Sequence, residues 1–210
     1  MRIGLGIFAG IVMILAVCSS GCLDSYYDRP SPSVPQVLAP IPSQSPESTT
    51  AILSLPEMAL QPSDMPDDFF LKDRSVLGFD EIPELNRNLG WWQGYTVEYC
   101  RMDLNYDELT RVTQTINLYP LENMNKLFSV EKNSLLSADT DSNRNEIPFP
   151  VLGDRSAAVR EARGKDPDKV ITYIVIFTEK NVYEKVTMSG TTTDYEAFLN
   201  ITRIAVTRIR

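Results

Sequence analysis

Residues 170–177 read Val170-Ile171-Thr172-Tyr173-Ile174-Val175-Ile176-Phe177, almost wholly apolar and rich in β-branched side chains. A run without polar alternation is a strand covered on both faces, in the middle of a sheet. Glu179-Lys180-Asn181 then reads as a short hairpin loop, with Asn181 suited to the left-handed conformation, and residues 182–189 as the returning strand. Upstream, residues 156–162 form another strand after the Gly153-Asp154 turn, and residues 164–168 turn the chain. Downstream, Thr193 and Glu196 have capping-box spacing. Tyr195, Phe198, Leu199, Thr202, Ala205, Val206 and Ile209 then fall on one face of a closing helix.

Working outward to the first half, residues 68–77 read as a strand and residues 80–89 as a short helix stopped by Gly90. Tyr95, Val97 and Tyr99 alternate with Thr96, Glu98 and Cys100, the pattern of a half-buried strand. Residues 110–119 return beside it, with Val112, Ile116 and Leu118 on one face and threonines on the other. A helix is expected over 121–136, its face carried by Leu121, Met124, Leu127, Phe128 and Leu135. Residues 139–150, polar and ended by proline, read as a loop. Directly joined hairpins and amphipathic helices give an α+β class: one antiparallel sheet of about six strands packed with about three helices.

The domain so defined spans residues 56–210. Before it, Arg2 is followed by an apolar run, residues 3–17, too short to span a bilayer and of signal-peptide length. Ser20-Gly21-Cys22 closes that run in the manner of a lipobox, so residues 1–21 are expected to be a signal peptide and Cys22 a lipid attachment site. Seven of the fourteen prolines lie between Arg29 and Pro56. Residues 22–55 therefore read as a disordered tether, and thirty residues of polyproline II reach ~100 Å at most. The expected location is the outer face of the cytoplasmic membrane, with the membrane itself as the first partner and a cell-surface protein as a candidate second.

The chain carries 20 Lys+Arg against 28 Asp+Glu, a net charge of −8, and no histidine. The acidic balance argues against a nucleic-acid partner. Lacking histidine, the chain has no Ser-His or Cys-His catalytic arrangement and no imidazole metal ligand. No cofactor is implied. With Cys18 lost in the signal peptide and Cys22 acylated, Cys100 has no disulfide partner.

The segment Leu89-Gly90-Trp91-Trp92-Gln93-Gly94-Tyr95, the stretch from Tyr119 to Asn123, and the proline-rich tether resemble uncharacterised lipoproteins of methanogenic archaea. The turn Gly153-Asp154-Arg155-Ser156 before three strands and a closing helix resembles PsbP-like extracytoplasmic α+β domains. That resemblance implies an exported domain and carries no catalytic residues.

The candidate sites are few. Adjacent Trp91 and Trp92 must face opposite ways in an extended segment, so one is available to a ligand or partner. Asn200-Ile201-Thr202 is a glycosylation sequon. Asp139, Asp141, Asn143 and Asn145 imitate the start of a calcium loop, but Arg144 and Pro150 stand where that loop needs glycine and glutamate. Ser129 and Lys132 have the Ser-x-x-Lys spacing without its companion motifs. The expected function is a non-catalytic, membrane-anchored binding or assembly module. Its rival is a carboxylate-dependent envelope hydrolase using two of Asp64, Asp67, Asp68, Glu98 and Asp154.

Overall fold

The computed structural model describes residues 54–105, 107–137, 143–165 and 169–210. Among the described residues, seven strands form one wholly antiparallel sheet: β1 (Phe70–Leu77), β2 (Gln93–Met102), β3 (Glu108–Leu118), β4 (Asn143–Glu146), β5 (Arg155–Arg163), β6 (Val170–Glu179) and β7 (Val182–Gly190). Their spatial order is β1-β2-β3-β7-β6-β5-β4, so β1 and β4 are the edges. The described residues also form four α-helices: α1 (Leu55–Met58), α2 (Glu84–Asn88), α3 (Met124–Leu136) and α4 (Tyr195–Arg208). The α+β class and single antiparallel sheet are as the sequence indicates.

Alternation along the strands divides the core in two. In β6, Val175 and Phe177 join the cluster under α4, while Ile174 and Ile176 join the one under α3. The apolar run 170–177 is therefore covered on both sides over its second half. On the α4 face, Phe198 stacks on Tyr173 at 5.6 Å and also meets Phe149 at 5.8 Å. The segment Ser54–Met65 lies as a strap on this same face, with Leu55, Met58, Leu60 and Met65 in the core. Helix α3 covers β5, β6 and the start of β7 through Leu127, Phe128 and Leu135.

Several local expectations are corrected. The loop at 139–150 contains the edge strand β4, which pairs with β5 from Asn143↔Ala162 to Glu146↔Val159. The 80–89 helix is split: a 3-10 turn covers Phe79–Glu81, Ile82 is extended before Pro83, and α2 begins only at Glu84. Proline disfavours helical geometry in the residue before it, which accounts for the break. Leu121 is 64% exposed and does not join the apolar face of α3. The cap of α4 is Asp194, whose Oδ1 accepts the Ala197 N–H at 2.7 Å; Thr193 lies one residue too early.

In the β6–β7 hairpin it is Lys180 that takes positive φ (54°), not Asn181. The Asp154 carboxylate accepts the Lys180 N–H at 2.8 Å and supports that strained geometry. Gly153, at φ +60°, brings the Asp154 turn against Thr178, where a Cβ would collide with the carbonyl oxygen.

Candidate functional site

Among the described residues, the face of the sheet opposite α4 is open beyond α3, over β1, β2 and β3. Thr96, Thr113 and Thr115 are half-buried there, in register with Glu98 and Arg111. Across the open face Lys72 and Arg111 interleave with Glu98 and Glu108: Lys72–Glu108 2.8 Å, Lys72–Glu98 3.3 Å, Arg111–Glu98 2.9 Å and Arg111–Glu108 2.7 Å. Hydrogen bonds from Arg111 and Lys72 hold the Glu108 carboxyl down at about 2. Each charge has two opposite neighbours, so the quartet is a closed arrangement with no cation or anion left over.

At the end of this face, where β1 begins and β2 ends, lies an apolar groove of about 690 Å³. Phe70, Leu71 and Lys72 form one wall, Met102, Asp103 and Leu104 the other, and Cys100 lies between. Cys100 is 2% exposed, free, and opposite Phe70 in the ladder. The rim is unusually apolar for a surface: Phe70 is 60% exposed and Leu104 fully exposed at the tip of the β2–β3 hairpin. A register shift between Leu71 and Asp73 leaves Lys72 as the extra residue of a bulge. Bulges at edges re-aim side chains, and here Phe70 and Leu71 stand at the groove while Lys72 reaches the quartet. Among the described residues the outer side of β1 has no strand neighbour, so its outward main-chain donors and acceptors are unpaired by any strand described.

The residues singled out in the sequence are scattered. Trp91 is half-buried: its Nε1–H donates to Asn117 Oδ1 at 2.8 Å and its ring tilts against Phe79 at 6.2 Å. Trp92 is 58% exposed, so the two rings do face differently. Gly94 permits the Trp91 bond, because a Cβ there would overlap Asn117 Oδ1. Asn200 is exposed on α4, but Thr202 of the same sequon is fully buried and donates its hydroxyl to the Leu199 carbonyl at 2.9 Å. Cys22, Asp139 and Asp141 lie outside the described residues. Asn143 and Asn145 sit on extended β4, with Asn145 donating to Asn143 Oδ1 at 2.8 Å. Arg144 turns inward to Glu161 (2.6 Å) and to the Leu135 carbonyl (3.0 Å), closing the end of α3. Among the described residues no group of three or more His, Cys, Asp or Glu side chains is placed to hold a metal.

Four of the five candidate acids are engaged by other groups of the chain. Asp64 is paired with Arg208 (2.5 Å), Asp68 with Arg101 (3.2 Å), Glu98 with Lys72 and Arg111, and Asp154 holds the Lys180 N–H. Asp67 is exposed. Ser129 donates to the Asn125 carbonyl at 2.9 Å, while Lys132 meets Glu146 at 3.1 Å. Of the groove residues, only Cys100 drew attention in the sequence. Leu104, an apolar residue inside the polar turn Asp103–Asp107, was the available signal.

The chain therefore has an α+β fold, a seven-stranded antiparallel sheet with helices on both faces. Among solved structures it is similar to the extracellular domain of PknH from Mycobacterium tuberculosis. The TM-score is 0.58 at 8% identity, over 73% of this chain and 94% of that one. An uncharacterised protein from Mycobacterium smegmatis gives a TM-score of 0.45 at 11% identity, over 76% and 98%. At 8% identity the likeness to the first of these is one of fold. No protein-family model and no curated protein matches the chain. Among the described residues no helix is long and apolar enough to cross a membrane.

Proposed function

We propose that the chain is a non-catalytic, extracytoplasmic binding module, lipid-anchored at Cys22, that docks an extended segment of a protein partner along β1. The observation that carries this reading is the apolar groove at the open end of β1, with exposed Phe70 and Leu104 on its rim. An edge strand supplies main-chain hydrogen bonds to an incoming strand, and an adjoining pocket takes alternate side chains. The groove is continuous with β1, so one extended segment satisfies both. The fold likeness to an extracellular domain and the archaeal-lipoprotein resemblance support the export and anchoring. The ion pairs that hold most of the candidate acids support a non-catalytic role. Trp92 is a candidate peripheral contact.

Selection of displayed random peptides on the anchored chain tests the docking surface. Recovered peptides are expected to alternate apolar residues, and their binding to weaken at least ten-fold with Leu104→Asp while Arg203→Ala on α4 leaves it unchanged. Binding indifferent to Leu104→Asp would remove the groove from the account. Mass spectrometry of the native N-terminus tests the anchor: a diacylated Cys22 is expected, and an uncleaved Met1 would refute it.

A further inference from the structure

A second concavity opens on the opposite face, where the strap crosses β1 and β2 near the last turn of α4. Its volume is about 320 Å³, at the small end of the range for small-molecule sites. Tyr95, Val97 and Tyr99, in phase on β2, form a buried apolar floor; Pro56 and Pro62 of the strap and Leu71 of β1 wall it. Two guanidinium groups reach it, Arg74 from β1 and Arg208 from α4. They are not equivalent. Arg208 is held by both oxygens of Asp64, at 2.5 and 2.7 Å, whereas Arg74 has no ion pair among the described residues. The rim carboxylate, Glu57, is turned back to accept the Ser54 N–H and hydroxyl, each at 2.8 Å.

The cleft thus combines a buried apolar floor, proline walls and, among the described residues, one planar cation without an ion pair. We infer that it binds a small organic anion, an aryl or alkyl carboxylate whose acid group pairs with the Arg74 fork and whose body lies against Pro56, Pro62 and Leu71. A guanidinium presents paired N–H donors that match a carboxylate. The proline rings supply apolar contact with no side-chain entropy to lose. Strap and sheet both contribute walls, so the ligand would bridge the segment leading from the tether to the body of the domain. This site shares only Leu71 with the groove, and its occupancy does not depend on a docked partner.

Fluorine NMR on the full chain in nanodiscs, with empty nanodiscs as the blank, tests the inference using 4-(4-fluorophenyl)butyrate and its neutral alcohol. The acid is expected to bind at least ten-fold more tightly than the alcohol. Arg74→Gln should weaken the acid at least five-fold and leave the alcohol unchanged, while Leu104→Asp alters neither. Equal affinity for acid and alcohol, insensitivity to Arg74→Gln, or no binding at all would overturn it. Loss of binding with Leu104→Asp would assign the probe to the groove instead, and so overturn this site without touching the docking proposal.

Discussion

The two faces of this sheet are built to different rules. Apart from the cleft beside the strap, the α4 face is sealed: α4 and the strap cover a continuous core, and most of its buried polar atoms are specifically bonded. Leu60 N–H donates to Gln114 Oε1 (2.6 Å), Gln114 Nε2 donates to Glu184 Oε1 (2.6 Å), and Tyr99 donates to the Leu60 carbonyl (2.9 Å). The α3 face is sealed only over β5 to β7 and left open over β1 to β3, where charges pair in partial solvent and apolar side chains stand exposed. Burial on one side pins the strands in register, since a one-residue slip would bring the wrong face inward. The same strands can then present their other face without needing it for stability. One face holds the fold and half of the other is available for contact.

This contrast predicts unequal costs. Phe198→Ala, which empties the stacked aromatic cluster on the sealed face, is expected to cost about 3–5 kcal/mol in denaturant unfolding. Phe70→Ala on the open face should cost a small fraction of that. Comparable losses would break the distinction between the faces.

The next effect is a pH dependence seated in the sealed face. Glu184 is fully buried, with one oxygen bonded to Gln114 and the other without a partner among the described residues. Burial pushes its carboxyl up to about 8, against 4.5 for the unfolded chain. The native acid therefore keeps a proton that the unfolded chain releases. Its contribution to stability is complete below pH 4.5 and is lost progressively as pH rises toward 8. Across that window the loss amounts to roughly 5 kcal/mol at most. The strap, Tyr99, Asp64 and Arg208 lie on this face, but only burial and Gln114 act on the group itself. Glu184→Gln should flatten the decline between pH 5 and 8, as followed by urea midpoints; an unchanged slope would place the titration elsewhere.

The open face titrates in the opposite sense and more weakly. Glu108, held at about 2 by Arg111 and Lys72, contributes stability that is present above pH 4.5 and lost as pH falls toward 2. With its side chain 30% exposed, solvent screening limits the quartet member to about 1 kcal/mol. Glu108→Gln should lower stability by that order at pH 7, and 0.5 M salt should shrink the difference. The smallest effect expected is Trp92→Ala, within about 0.5 kcal/mol, whereas Trp91→Ala should cost several-fold more because it strands Asn117.

The fold was largely legible in the sequence because the sealed face writes itself as alternation. Tyr95-Val97-Tyr99, Val112-Ile116-Leu118 and the helical set from Phe198 to Ile209 each show one period clearly. Strand β4, Asn143-Arg144-Asn145-Glu146, was not legible because an exposed edge strand is held by backbone pairing and asks nothing of its outward side chains. The four-residue α1 is too short to display a helical period. The candidate site was less readable still. Phe70 and Leu71 look like any strand residues until it is known that no helix among the described residues covers their end of β1, and that is a property of where α3 packs. Thr193 and Glu196 misled by one residue because Asp194 offers the same oxygen in a better place.

Site-specific photo-crosslinking in the native membrane, with a photoreactive residue at position 104 and a control at 203 on α4, tests the docking claim most directly. The account predicts one recurrent adduct from position 104, mapping to an extended segment of a partner protein and lost when Phe70 is changed to Asp. The same adducts from both positions, or none from position 104, would contradict it.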